Sequence, residues 1–331
     1  MAKVAIVGYG NVGKGVYEAT LRNGDIDLCG IISRNPARVE AELKDNIPIY
    51  LQSDILEGKD FLDADVAILC GGSKSDLPEQ GPAFSEIYNT VDSFDTHANI
   101  PSYFKKMDEI ARSKEHSSVI GAGWDPGTFS LNRVLADAFI PGCIPKGFYG
   151  MEKRGGLSMG HSDAVRRVEN VEDARQYTHA LNDAINRVRN GENPNLSPGE
   201  MHGREVYVVA EKGADRERIE KEVVTMPAYF EGYKTEVKFV SQDDLERICY
   251  GMPHDGVVIA VGETGDGNKA SIEYRNQWES NPEATGSILV ACARAADRLY
   301  NESQYGAFTM LDIPPAYMSP HSREELLSRF M

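Results

Sequence analysis

The sequence predicts an α/β protein, a doubly wound parallel sheet followed by a second, α+β domain. Three observations carry that prediction. Short β-rich runs alternate with amphipathic or polar segments up to Gly123, which is the signature of strands joined by helical crossovers. A glycine-rich turn, Gly8-Tyr9-Gly10-Asn11-Val12-Gly13, joins the first run to a helix. A chain of 331 residues exceeds what one core usually organises, and about 150 residues per domain gives two. Hydrophobic residues at 41 % and charged residues at 26 % supply enough apolar side chain for such cores and exclude a disordered or fibrous chain.

In order along the chain, strands are expected at Val4–Val7, Leu28–Ile32, Val66–Cys70, Thr90–Val91 and Ser118–Ile120. The clearest crossover helices are Asn11–Arg22 and Pro101–Lys114, the second opening on Pro and carrying Tyr103, Met107, Ile110 and Ala111 at helical spacing. A helix is expected after Asp125-Pro126-Gly127, then strands at Val206–Ala210, Thr235–Val240, Gly256–Val261 and Ala270–Tyr274, in a mixed or antiparallel sheet. Helices are expected at Asn182–Arg189, Arg216–Val224 and Pro282–Tyr300 and a loop at Asn190–Gly199. These readings divide the chain into a first domain, 1–123, and a second, 124–300. The tail 301–331, with its Pro314-Pro315 break and short Arg323–Phe330 helix, is expected to return to the first domain.

The glycine turn fits GxGxxG in the setting that gives the motif meaning, after an apolar strand and at the mouth of a helix. The first glycine permits the tight turn, the second lets amides approach a pyrophosphate, the third allows close packing, and the helix dipole favours an anion. Gly8, Tyr9, Gly10, Asn11, Val12 and Gly13 are therefore cofactor candidates in a Rossmann-type domain; the plainer alternative is a turn and nothing more. The second strand ends in Ser33-Arg34-Asn35, with Arg where an NAD-binding unit usually carries an acid for the ribose hydroxyl. A guanidinium suits a 2′-phosphate, so NADP is the expected cofactor. The alternative is a solvated Arg34, with Arg38 sharing the role.

Further cofactor candidates lie where the next strands end: Cys70, Gly71, Gly72 and Ser73, then Ser93 and Phe94, then Ala122, Gly123 and Pro126. Asp95 and Asp125 each follow a strand and are expected at the sheet's carboxyl edge, near the nicotinamide. Asp125 fits equally well as a helix cap before Pro126. In the second half His161, Thr178, Arg204, His254 and Asn268 are scattered polar candidates, none at metal-ligand spacing.

Several phrases taken together resemble the meso-diaminopimelate D-dehydrogenase family: Val-Ala-Ile-Val-Gly-Tyr-Gly-Asn-Val-Gly from Val4, Ser-Asp-Leu-Pro-Glu-Gln from Ser75, Gly-Trp-Asp-Pro-Gly from Gly123, Gly-His-Ser-Asp-Ala from Gly160 and Gly-Met-Pro-His from Gly251. The glycine phrase is common to many dehydrogenases; the others, in this order, are specific. The resemblance covers nearly the whole chain and implies NADP-dependent, reversible oxidative deamination at the D-centre of meso-2,6-diaminopimelate, giving L-2-amino-6-oxopimelate and ammonia on the route to lysine. It implies that Asp95 and Asp125 are the carboxylates near the D-centre and that Trp124, Tyr149, Met159 and Gly160 contact the same end. It implies that Thr178, Arg204, His254 and Asn268 anchor the distal L-centre, and that the enzyme is a homodimer or larger homo-oligomer. The sequence departs from some relatives at Met151-Glu152-Lys153-Arg154-Gly155-Gly156, where they carry a shorter link.

Other partners are disfavoured. With 35 Lys+Arg against 51 Asp+Glu the formal charge is −16, which repels nucleic acid and anionic membrane surfaces. Cys29, Cys70, Cys143, Cys249 and Cys292 show no disulfide or metal spacing and read as reduced, structural thiols. With no transmembrane-length run and no secretory signal expected at the N-terminus, the location expected is cytoplasmic. Rival functions on the same first domain are another two-domain NADP oxidoreductase of amino-acid metabolism and an NADP-sensing protein without turnover.

Overall fold

The computed structural model describes residues 1–43 and 45–331. Contacts divide the chain into two units, 1–131 with 282–331, and 132–281. In the first unit seven strands form a sheet in the order Gly306–Phe308, Ser117–Val119, Asn89–Asp92, Val66–Leu69, Ala2–Val7, Ile26–Ser33 and Ile49–Leu51. Every pairing in it is parallel. The order reverses at the first strand, so the carboxyl ends of Ala2–Val7 and Val66–Leu69 flank the switch point where such sheets bind ligands. The Ile49–Leu51 edge strand was not among the sequence expectations; it is three residues long and only part-buried, too short for a pattern to show.

The first strand explains why parallel-sheet strands read as continuous apolar runs. Val4 and Ile6 face a core completed by Val16 and Tyr17 of the helix Asn11–Leu21, while Ala5 and Val7 face a second core with Phe84 and Met107. Gly13 permits the helix to start there, since a Cβ would overlap the Gly8 carbonyl oxygen.

The domain boundary expected near residue 300 is corrected. The helix Asn281–Asn301 lies with the first unit from Pro282 onward, and its Leu289, Val290, Ala293 and Ala296 enter the core built on Val4 and Ile6. Gly286 and Gly15 make this crossing possible: a Cβ on either would strike the opposite backbone. The chain then runs through Gly306–Phe308, which pairs with Ser117–Val119, to the helix Arg323–Phe330.

The second unit holds two sheets. One is mixed, in the order Lys234–Phe239, His202–Ala210, Val171–Ala180, Gly156–Leu157, with only the first pair parallel. The other is antiparallel, in the order Asn268–Trp278, His254–Gly265, Lys146–Tyr149. Val171–Ala180 went unread in the sequence because its burial comes from two flanking strands and not from its own residues, Val-Glu-Asp-Ala-Arg-Gln-Tyr-Thr-His-Ala. The expected loop at Asn190–Gly199 ends early, at Ser197, whose side chain and that of Glu200 form a capping box for the helix Pro198–Met201.

Candidate active site

The glycine turn has the form its chemistry requires. Gly8 has φ +91°, a conformation L side chains rarely adopt, and its N–H donates to the Ile32 carbonyl at 2.8 Å. Gly10 precedes the helix Asn11–Leu21, whose N-terminus has no side-chain cap and no acid in its first turn. A Cβ on Gly10 would meet nothing within 4 Å, so the approach to those amides is open. Asn11 is exposed, Val12 packs on the core, and Tyr9 packs edge-on against Tyr17 at 6.1 Å.

At the end of the second strand Ser33 Oγ accepts from Asn35 N–H at 3.1 Å, and Asn35 caps the helix Pro36–Glu42 by accepting from Arg38 N–H at 3.3 Å. Arg34 stays 70 % exposed at its side chain and pairs with Asp76 at 3.0 Å, whose other oxygen accepts from Gly72 N–H at 2.8 Å. Arg38 is engaged by Glu42 at 2.9 Å, which also holds Lys14. Arg34 is thus the guanidinium poised at the Gly71-Gly72 turn, and Asp76, unnoticed in the sequence, orients it.

The other strand ends are tied to one another. Cys70 N–H donates to the Val7 carbonyl at 2.8 Å. Ser73 Oγ accepts from Asp95 N–H at 2.8 Å and contacts Thr96 Oγ1 at 3.1 Å, which binds the Gly71-Gly72-Ser73 turn to the loop bearing the exposed Asp95. Ser93 is half-buried, and Phe94 is buried and stacks on Tyr103 with centroids 4.1 Å apart. Ala122, Gly123 and Trp124 are buried, and Asp125 and Pro126 are half-buried. Trp124 meets Phe129 edge-on at 5.1 Å. The cap role for Asp125 is corrected: the helix begins at Thr128, so Asp125 lies in the turn before the capping position.

In the second unit three expected anchors come together across neighbouring strands. Arg204 and Thr178 are register partners and Arg204 Nη1 donates to Thr178 Oγ1; the next register partner is Gly156, on which a Cβ would run into the His254 ring. Arg204, half-buried, lies over the Tyr233 ring at 4.2 Å, and burial pushes its pKa down from the ordinary arginine range. Its buried Nε has no hydrogen-bond partner among the described residues. Tyr149 takes a hydrogen bond from Arg133 at 2.8 Å and stacks on His202 at 5.1 Å. Met159 and Gly160 open the helix Met159–Arg166 just past the Gly156–Leu157 strand, and Met159 is 39 % exposed. His161 turns to Ser158 Oγ at 2.7 Å and packs edge-on against Tyr229 and Phe230, a structural setting.

Asn268 is the exception. It pairs with Gly265 at the hairpin tip, whereas His254 pairs with Trp278 at the opposite end. At about 3.3 Å per residue, the 11-residue strand puts Asn268 roughly 30 Å from that end. Asn281, like Asn276, lies toward the His254 end, and its N–H donates to Met252 at 2.8 Å. Sequence reading missed it because only the hairpin register separates it from Asn268. It also missed His202, two residues before Arg204: the ring is 4 % exposed and burial pushes its pKa down to about 4.

A parallel sheet with this strand order, a glycine turn at its switch point and carboxylates at its carboxyl edge defines a dinucleotide-binding oxidoreductase of the Rossmann class. The model of the diaminopimelic acid dehydrogenase C-terminal domain matches residues 123–280. The chain belongs to the meso-diaminopimelate D-dehydrogenase family: it is 50 % identical to the Lysinibacillus sphaericus member over 98 % of this chain and 97 % of that one. With the Corynebacterium glutamicum member the identity is 41 % over 99 % and 98 %. The structure of Corynebacterium glutamicum DAP dehydrogenase in complex with DAP matches with a TM-score of 0.91 at 40 % identity, covering 100 % of this chain and 99 % of that one. An engineered D-amino acid dehydrogenase bound to NADP+ matches at 0.87 and 39 % identity with the same coverage.

Proposed function

We propose that this chain catalyses the NADP-dependent, reversible oxidative deamination of meso-2,6-diaminopimelate at its D-centre, giving L-2-amino-6-oxopimelate and ammonia. The observation that carries the reading to the residues is a division of chemistry. The first unit presents Asp95 and Asp125 where its strands end, and the second holds a half-buried guanidinium, a threonine and an imidazole in one cluster. A substrate with two similar amino-acid ends needs both, because one end must be held inert while the other reacts.

The dinucleotide fits the first unit. An open space over Gly10, uncapped amides and the exposed Arg34 guanidinium suit the pyrophosphate and a 2′-phosphate. Bound there, NADP supplies the hydride acceptor. Asp95 and Asp125 receive the D-centre ammonium and take its proton, so that the nitrogen lone pair assists loss of hydride from Cα; general base action of this kind is worth about 10²–10⁴-fold. The same carboxylates stabilise the iminium charge, water adds to the imine carbon, and ammonia leaves. Trp124 stands next to Asp125 in the chain and shapes the reacting end, the end to which the family resemblance also assigns Tyr149, Met159 and Gly160. Arg204 pairs with the distal carboxylate, offering the Nε proton that has no hydrogen-bond partner among the described residues, while Thr178 and His254 complete the shell. The amide role expected of Asn268 passes to Asn281 on the strength of its place beside Met252.

The first unit is the cofactor-binding part and the second carries the anchor and a homo-oligomer contact. Val134, Leu135, Phe139 and Ile144 leave exposed apolar surface there, and a monomer by light scattering would overturn the contact. No helix among the described residues is long and apolar enough to cross a membrane. Cytoplasmic residence completes the reading and is checked by cell fractionation.

The deciding experiment follows NADPH absorbance with NADP and meso-diaminopimelate. Turnover with that substrate and none with homoserine is expected; cofactor binding without turnover would leave an NADP sensor. In the same assay Arg204→Met should raise KM for the substrate about 10–100-fold, the loss of a charged hydrogen bond, with the NADP KM near its starting value. An unchanged substrate KM removes Arg204 from the anchor.

A further inference from the structure

Asp92 ends the strand Asn89–Asp92 and is fully buried, yet the chemistry above does not use it. Its Oδ1 accepts from Phe94 N–H at 2.9 Å and Gly121 N–H at 3.0 Å, and its Oδ2 accepts from the Tyr103 hydroxyl at 2.7 Å. Its backbone carbonyl accepts from Ala122 N–H at 2.8 Å. One residue therefore holds the start of the loop leading to Asp95 and the start of the loop leading to Trp124 and Asp125. Tyr103, from the helix Ile100–Ser113, closes the arrangement by stacking its ring on Phe94 at an interplanar angle of 17°. Gly121 joins it in the left-handed region at φ +60°, so this amide is aimed at Asp92 by a backbone conformation that favours glycine. Among the described residues Asp92 makes no ion pair, and burial raises its pKa while the two amides and the phenol pull it back. A buried carboxylate with only these donors is costly to keep, which is reason to ask what it secures.

We infer that Asp92 is a positioning residue for the reaction: its carboxylate fixes the separation and orientation of Asp95 and Asp125 without touching substrate. The inference rests on the assignment of those two aspartates to the reacting end. An aspartate can accept at both oxygens; an asparagine keeps the amide contacts through one oxygen but turns a donor toward Tyr103. The Tyr103 oxygen can accept from that amide only if its own proton turns to the Leu77 carbonyl, already at 3.4 Å, so the substitution exchanges a charge-assisted bond for a weaker, reversed one, which loosens the clamp and leaves the packing around it.

The test is kcat at saturating NADP and substrate, normalised to the number of NADPH-binding sites counted by fluorescence titration, in Asp92→Asn, Tyr103→Phe and the double variant. Misplacing a catalytic group by an ångström costs up to about 100-fold, so Asp92→Asn should lower kcat per site about 10–100-fold, with KM for meso-diaminopimelate moved less than about threefold. Tyr103→Phe should lower it less, and the double variant should match Asp92→Asn, because both act on one clamp. A purely structural role predicts fewer binding sites, each turning over at the starting rate, and that result overturns the inference. Should Asp92→Asn fail to fold, Tyr103→Phe decides alone: kcat per site at the starting value overturns it. Asp95→Asn and Asp125→Asn serve as references; full activity in both would sink the assignment of the reacting end, whereas their loss beside an intact Asp92→Asn sinks only the positioning role.

Discussion

His202 shows how a residue with no motif shapes a site. Its Nε2 accepts the Tyr149 N–H at 3.0 Å and its Nδ1 faces the Pro198 carbonyl at 3.3 Å, an arrangement that needs the neutral ring with its proton on Nδ1. Burial, the largest cause, holds the pKa down at about 4 from 6.5 against the opposing pull of the Pro198 carbonyl, with the nearby Arg204 charge a smaller part of the same lowering. The unfolded chain therefore binds the proton more readily than the folded one, so this contribution is complete above about pH 6.5 and is lost as the pH falls toward 4. At about 1.4 kcal/mol per pH unit the loss is on the order of 3 kcal/mol. The melting temperature should drop across that interval, and His202→Asn should flatten the drop; equal slopes in both proteins would show that other groups set it. A neighbouring residue marks the limit of legibility at this scale. Arg34 could be read from its place after a strand, but its Asp76 partner, 42 residues on, depends on two loops meeting.

At the scale of elements, legibility followed the source of burial. The inner strands of the parallel sheet are apolar on both faces and stood out, whereas Val171–Ala180 took its identity from its neighbours. The helix Asn11–Leu21 and the glycine before it make the point through three glycines with different duties. Gly10 has open space beside it, Gly13 is pressed on the Gly8 carbonyl, and Gly15 on the backbone at Pro282. Gly10→Ala should therefore leave the melting temperature nearly unchanged and weaken NADP binding, because the added methyl occupies the cofactor's approach. Gly15→Ala has no flexible side chain to displace and should cost about 1–3 kcal/mol, the usual penalty for overpacking, read by denaturant unfolding. If Gly15→Ala is neutral, the helices have room to part and the crossing is not set by contact between backbones.

At the scale of the whole chain, the first unit is completed by residues from both ends of the sequence. The amphipathic pattern of Pro282–Tyr300 announced a helix; nothing in it named the surface its apolar face would cover, and the boundary expected near 300 failed for that reason. Arg294 is the polar counterpart of that packing. It is 4 % exposed at its side chain, pairs bidentately with Asp25, and donates from Nη2 to Asn23 Oδ1 at 3.1 Å and from Nη1 to the Met318 carbonyl at 2.7 Å. The Asp25 carboxyl is held below the usual carboxylate range by that guanidinium. Three segments far apart in sequence thus meet at one side chain. Arg294→Met keeps much of the volume and strands Asp25, Asn23 and the Met318 carbonyl together. Breaking a buried pair costs about 3–5 kcal/mol, and because Asp25 is 34 % exposed and can turn to water, about 2–3 kcal/mol is expected here. Calorimetry on Arg294→Met should show the transition of the first unit shifted down, with NADP restoring part of the shift because the ligand binds only the folded unit. A lowered transition that NADP leaves in place would mean that Arg294 secures the tail around Met318 alone, and the cofactor-binding sheet would then stand without its returning helix.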